Sequence, residues 1–300
     1  MNYQHSYHAG NFADVVKHVL LLQLLEMMSA KPKPYYILDA YGGRGLYSLA
    51  SDEAKKTGEA IHGITKLLAQ DNSQAPQAVQ TYLQDIGYAK KFYDKHVYPG
   101  SPWFIAHHIE KQQDAHPEIN NRAEAFEWKA SEFDALNYQL HQLPIGVQHR
   151  NAYEGILAVL PPQEKRGLIL IDPPFEQEHR DFSALVDLLV KAHKKWSTGV
   201  LALWYPIKNN DAVELFYKKM KRTEIRRQLV LELNIFPPDL PMGLNGTGML
   251  VINPPWQFDA KAEEILQYLQ PILQHPESPQ MSVEQRTKVQ WLVCEIWRVL

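Results

Sequence analysis

The chain predicts an α/β fold: a doubly wound, mostly parallel sheet closed by an antiparallel hairpin. Three observations carry that expectation. Leu168-Ile169-Leu170-Ile171 is an unbroken apolar run, the pattern of a strand buried on both faces. It stops on Asp172-Pro173-Pro174, where proline ends ladder pairing. Strand-like and helix-like segments alternate through the middle of the chain until two strand-like segments, 228–235 and 248–253, come nearly in succession.

The elements follow in order. Asn11 can cap a helix over 11–29, in which Val15, Val16, Val19, Leu20, Leu22 and Leu25 give a broad apolar side. Pro34 to Ala40 reads as a strand and runs into the glycine loop Gly42-Gly43-Arg44-Gly45. Residues 50–95 carry many Ala, Lys and Gln and no strong strand signal, which predicts a helical insertion. Ser101-Pro102-Trp103 opens a helix with a capping hydroxyl and a proline at the first position. Ala123 to Trp128 and Gly146 to Arg150 read as short strands, and 153–160 as a helix. Beyond the Asp172 strand come helix 178–194, strand 199–204, helix 210–221 and the two final strands. The segment 260–300 reads as mostly helical, interrupted by Pro271 and Pro276.

Composition narrows the function classes. Of 300 residues, 45% are hydrophobic and 22% charged, so the chain can bury a sizeable core. No repeat or linker divides it, and a single domain over 1–300 is expected, with 50–95 inserted. The net charge of −3 excludes coating nucleic acid by bulk charge. RNA contact then needs a local patch, and the candidates are Lys218, Lys219, Lys221, Arg222, Arg226 and Arg227. Lys191, Lys194 and Lys195, and Lys55 and Lys56 on the insertion, could extend it. Cys294 is the single cysteine, which allows no internal disulfide and is consistent with a cytoplasmic address. The apolar stretch 15–22 is broken by Lys17 and His18, so it reads neither as a signal peptide nor as a membrane span.

Open α/β sheets bind ligands at the carboxyl edge of their strands. Asp172, Pro173, Pro174 and Phe175 would place a carboxylate, stiffened carbonyls and an aromatic ring at that edge. The set suits gripping the exocyclic amine of a nucleobase while the ring packs on the base. The other reading is an ordinary turn. The chain contains its own control in Val251-Ile252-Asn253-Pro254-Pro255-Trp256, which repeats the shape. Asp39 before the glycine loop favours an S-adenosylmethionine site, since the third glycine of a dinucleotide fingerprint is absent. Glu127, at the end of the second strand, can accept both hydroxyls of a ribose. His5, His8 and His18 lack the matched partners that a zinc site needs, and no metal is expected.

Four blocks of sequence carry a resemblance. Tyr3 to His18 (Tyr-Gln-His-Ser-Tyr-His-Ala-Gly-Asn-Phe-Ala-Asp-Val-Val-Lys-His), Tyr98-Pro99-Gly100-Ser101-Pro102, Arg166 to Phe175 and Gly248 to Trp256 resemble the RlmJ family of 23S rRNA (adenine(2030)-N(6))-methyltransferases. The resemblance implies a Rossmann-like class I S-adenosylmethionine-dependent methyltransferase fold with a seven-stranded sheet and a helical insertion. It implies S-adenosylmethionine contacts at Lys17, His18, Tyr41, Gly43, Ser101, Glu127, Asn151, Ala152 and Asp172. It further implies that Asp172 acts on the adenine amine and that Tyr3, Pro173, Pro174 and Phe175 meet the substrate, 23S rRNA in protein-free or partly assembled form. Three positions depart from the family pattern. Tyr41 stands for a usual histidine, Asn151-Ala152 for an acid-glycine pair, and Phe175 for a common tyrosine. The Asn253 repeat then reads as structural, helping to wall the pocket. A DNA adenine-N6 methyltransferase and a non-transferase protein serving the use of external DNA are the competing readings. A nicotinamide oxidoreductase is disfavoured by the missing glycine.

Overall fold

The computed structural model describes residues 5–175, 178–208, 210–241 and 243–294. Helix α1 (Phe12–Ser29) starts where expected. Asn11 is extended, at φ −66° and ψ 175°, and its side chain accepts from the Asp14 amide. Strand β1 (Tyr36–Asp39) follows. The chain then leaves the main sheet through β2 (Leu46–Ser48), forms α2 (Asp52–Thr57), α3 (Ile64–Leu68) and α4 (Gln77–Phe92), and returns through β3 (Val97–Pro99). Strands β2 and β3 pair antiparallel, Leu46 opposite Pro99 and Ser48 opposite Val97. This small sheet was not expected. Its pairing joins segments about fifty residues apart, so no local pattern encodes it. Val79, Tyr82 and Ile86 of α4 are buried in the same core as α1. That cover explains why α1 is buried on its polar side as well, with Asp14, Lys17 and His18 inside.

The rest of the chain alternates. Helix α5 (Ser101–Ala115), β4 (Arg122–Glu127), α6 (Ala130–Leu140), β5 (Gly146–His149), α7 (Ala152–Val159) and β6 (Gly167–Ile171) precede α8 (Glu178–Lys195) and β7 (Val200–Ile207). Then come α9 (Asn210–Lys221), β8 (Gln228–Asn234), β9 (Gly246–Ile252), α10 (Phe258–Leu273), α11 (Val283–Arg286) and β10 (Thr287–Val293). Strand order is β10-β8-β9-β7-β6-β1-β4-β5. Pairs from β5 to β7 are parallel, and β9 lies antiparallel between β7 and β8. This is the Rossmann-like class I methyltransferase arrangement. The winding reverses between β1 and β6, which opens a crevice beyond their carboxyl ends. Alternate residues of each strand enter different cores. Ile37, Leu168 and Leu170 face α1, α5 and α10, whereas Leu38, Ile169 and Ile171 face α7, α8 and α9.

Three expectations need correction. The sheet has eight strands, not seven, and 260–300 is not mostly helical. Strand β10 pairs antiparallel with β8, Thr287 opposite Leu233 and Trp291 opposite Leu229. It covers the edge of β8 with β-branched and aromatic residues that suit a half-buried strand. Helix α10 continues through Pro271, which lies in its last turn. Ser101 also does not cap α5. Gly100 holds the N-cap position, and Ser101 is the first residue of the helix.

Candidate active site

A cleft of about 310 Å³ lies at the carboxyl edge of the parallel strands, lined by residues from helices, strand ends and their loops. The turn after β1 contributes Tyr41, Gly42 and Gly43, the start of α5 Ser101, and the end of β4 Glu127. The start of α7 contributes Asn151 and Ala152, the end of β6 Asp172, Pro173 and Pro174, and α1 Lys17 and His18. All the cofactor positions expected from the sequence therefore wall one space.

The glycine loop has a steric cause. Gly43 has φ +59°, and a Cβ there would lie 2.2 Å from the Tyr47 hydroxyl, so only glycine fits without displacing Tyr47. The Gly43 amide donates to Glu127 Oε2 at 3.0 Å, and the Lys129 amide to Oε1 at 2.7 Å. Burial raises the Glu127 carboxyl above its usual range against these amides. A carboxylate has about four acceptor sites, so Glu127 keeps capacity for the hydroxyls of a ribose. Asn151 caps α7 by accepting from the Tyr153 amide at 2.9 Å.

Charge is concentrated under the cleft. Lys17 Nζ lies 2.5 Å from Asp172 Oδ2 and 2.9 Å from Asp14 Oδ1, and Lys17 is 4% exposed. Burial disfavours its ammonium, but Asp14 and Asp172 overcome that and raise its pKa well above the ordinary value. Burial likewise opposes charge on Asp14, yet His5 and Lys17 hold its carboxyl well below the usual range. His18 is fully buried and pairs through Nδ1 with the Tyr98 hydroxyl at 2.9 Å. Burial, then Lys17, keeps its imidazole neutral. Its Nε2 is buried with no hydrogen-bond partner among the described residues. An unpaired buried polar atom on a cleft wall calls for a polar ligand, and S-adenosylmethionine fits this donor set. Asp39 stands behind the wall. Its Oδ1 accepts from the Tyr41 amide at 3.1 Å, and burial pushes its carboxyl up to about 6 against the opposing pull of the Ser101 hydroxyl and the Tyr41 amide.

The aromatic residue expected to stack on the base lies beside the cleft. Phe175 is not among the cleft residues; its ring packs on Phe182 (centroids 5.1 Å apart) and edge-on to Trp204 (6.0 Å). Trp204, half-buried on β7, donates Nε1 to Thr247 Oγ1 at 2.7 Å and lies 6.0 Å from Lys17 Nζ. Sequence reasoning missed Trp204, although it ends the strand 199–204. It also missed His5, Arg150, Tyr153 and Asp181 on the cleft wall. Tyr3 lies outside the described residues. The three N-terminal histidines face different partners: His5 bonds Asp14, His8 bonds Glu59 and His18 bonds Tyr98.

The Asn253 corner does not wall the pocket. Ile252 pairs with Leu201 and Gln228, in the opening residues of β7 and β8. Because β9 runs antiparallel, its end reaches the opposite edge of the sheet from Asp172. The basic segment from Lys218 to Arg227 lies at that same far edge, where α9 ends and β8 begins. Lys55 and Lys56 stand apart from it, on a helix that packs against the turn His5–Tyr7. No described helix is long and apolar enough to cross a membrane.

Known proteins share this sequence and architecture. The chain is 36% identical over 273 residues to the ribosomal RNA large subunit methyltransferase J of Haemophilus influenzae, covering 90% of this chain and 92% of that protein. It is 33% identical over 270 residues to the Escherichia coli K12 protein of the same name, with the same coverage. A crystal structure from Legionella pneumophila superposes with a TM-score of 0.77 at 28% identity, over 95% of this chain and 98% of that one. The model of the family described as "Ribosomal RNA large subunit methyltransferase D, RlmJ" matches residues 32–293. With the cleft, the strand-end acids and these matches together, the chain belongs to the RlmJ family of large-subunit ribosomal RNA methyltransferases.

Proposed function

We propose that this protein transfers a methyl group from S-adenosylmethionine to the exocyclic N6 of an adenine in 23S rRNA, the family's position 2030. The substrate would be protein-free or partly assembled RNA. The observation that carries the reading is the shared cleft: Asp172-Pro173-Pro174 and the Gly43–Glu127 pair wall one space. Glu127 would hold the ribose hydroxyls, and Tyr41, Asn151 and Ala152 the adjoining adenosine. His18 Nε2 and Ser101 would face polar groups of the amino-acid part. When bound, S-adenosylmethionine supplies an electrophilic methyl group.

The chain's own residues do the rest. An adenine amine is a weak nucleophile because its lone pair is delocalised into the ring. Lys17 holds one oxygen of Asp172 at 2.5 Å, which fixes the direction of the other. That free oxygen and the Pro173 carbonyl accept hydrogen bonds from the amine and draw the nitrogen toward tetrahedral geometry, and the Asp172 carboxylate takes up the proton that the amine sheds once it is methylated. Positioning at near-attack distance, about 3–3.5 Å, accounts for much of the rate. Phe175 and Trp204 give the base an aromatic flank outside the cofactor cleft. The base must be unpaired or flipped to reach it. Residues 50–95 serve as an inserted helical subdomain in a single methyltransferase domain. The β2–β3 pair, which brings the two ends of the insertion together, supports that division.

The test is direct. Protein-free large-subunit rRNA is incubated with the protein and S-adenosylmethionine labelled in its methyl group, and the product is mapped by mass. One N6-methyladenine per RNA is expected. Cofactor binding without transfer to RNA would overturn the reading, and preferential labelling of DNA oligonucleotides would move it to a DNA substrate.

A further inference from the structure

The Asn253-Pro254-Pro255-Trp256 corner has no part in the cleft, yet the fold holds it firmly. Asn253 is left-handed at φ 53°, a conformation costly for a residue with a side chain. Its Nδ2 donates to the carbonyls of Ser197 and Gly199 at 2.8 and 3.0 Å, and its amide to the Arg227 carbonyl at 3.0 Å. The Arg227 guanidinium returns a bond to the Pro254 carbonyl at 2.9 Å. Three loops at the amino edge of the parallel strands are thereby stitched together. They end on Trp256, which is 82% exposed.

The same loops concentrate cations. Lys194 and Lys195 close α8 just before Ser197, Lys221 closes α9, and Arg222 and Arg226 lie between α9 and β8. All five are exposed, and none has an ion-pair partner among the described residues. Glu224 is the exposed acid within the 221–227 loop. A lone exposed tryptophan needs no explanation. An indole fixed on a strained corner, beside unpaired cations, in a chain of net charge −3, is a different matter. Cations neutralise phosphates and an exposed ring stacks an unpaired base, the combination that binds single-stranded nucleic acid.

We propose that this edge is a second RNA-binding surface, on which Trp256 stacks an unpaired base and the flanking lysines and arginines hold the adjacent backbone. The inference rests on the rRNA reading and extends it. Arg166 precedes and Asp172 follows one strand, so the two edges lie about 20 Å apart at about 3.3 Å per residue. The surface cannot touch the acceptor adenine; it anchors a distant part of a large RNA and raises the local concentration of the acceptor at the cleft.

The test compares Trp256→Ala and the double variant Arg222→Glu/Arg226→Glu with the unchanged protein. Each is assayed on long large-subunit rRNA and on a fragment too short to reach from one edge to the other. For Trp256→Ala, KM for the long RNA should rise roughly tenfold with kcat unchanged, and Trp256→Phe should restore most of it. For the double variant the log–log salt slope should fall by about one to two. The short fragment should be methylated as before. An unchanged KM on long RNA, or equal losses on both substrates, overturns the proposal. So does a concentration-dependent dimer that Trp256→Ala abolishes without any effect on RNA, because the surface would then join two copies. If the unchanged protein methylates neither RNA, the activity itself fails, an outcome separate from failure of this surface.

Discussion

Lys17 Nζ lies 2.5 Å from Asp172 Oδ2, although 155 residues separate the two positions. The same ammonium is 2.9 Å from Asp14, so one buried cation serves two acids and joins α1 to the reactive end of β6. Removing one partner of a buried pair leaves an uncompensated charge, at a cost of about 3–5 kcal/mol. Lys17→Met should therefore lower stability in urea by that order. Adding Asp172→Asn should recover part of the loss, because the two sites share one interaction. Strictly additive losses would show that the pair is not coupled.

Asp172→Asn alone keeps the shape of the corner and removes an acceptor. Methyl transfer at saturating S-adenosylmethionine should fall by about 100-fold or more, while a cooperative urea melt, shifted down by the loss of a partner for Lys17, shows that the variant still folds. Turnover close to that of the unchanged protein would end the case for Asp172.

Asp39 gives a pH signature. Its carboxyl stands at about 6 in the folded chain against an ordinary 3.8. Between those values the folded protein keeps a proton that the unfolded chain has released. Stability from this group is therefore greatest below about pH 4, falls as pH rises toward 6 and is level above. Asp39→Asn removes the group, so relative to the unchanged protein it should gain stability across pH 4–6, by at most about 3 kcal/mol. Urea melts at several pH values check this; parallel curves for the two proteins would contradict it.

Trp204 tests the acceptor side. It lies against Phe175 and near Lys17 but outside the cofactor cleft. Trp204→Ala should weaken RNA binding by about 1–3 kcal/mol and leave cofactor affinity unchanged, and Trp204→Phe should retain most of the binding. A loss of cofactor affinity equal to the loss of RNA affinity would assign Trp204 to the cleft instead.

Much of the fold was legible because its signals are local. The Leu168–Ile171 run, the glycine loop and the Asn11 cap each declare an element through neighbouring residues. The strand-end acids Asp39, Glu127 and Asp172 could be placed at one edge by counting parallel strands. Strand β10 was not legible, since an edge strand takes its stability from pairing with β8 and not from its own pattern. The packing of Phe175 on Phe182 was not legible either, because it depends on how α8 packs.

The sequence by itself determined the alternation of strand and helix, the resemblance to the family and the residues that carry it. The tertiary structure alone decided that the Asn253 corner stands away from the cleft, and that Lys17 meets Asp172. The reason is direction. Parallel strands deliver every carboxyl end to one edge, while β9 runs the other way and carries Asn253 to the opposite side. Strand direction is fixed by hydrogen bonds between segments far apart in the chain, and no short stretch of residues records it.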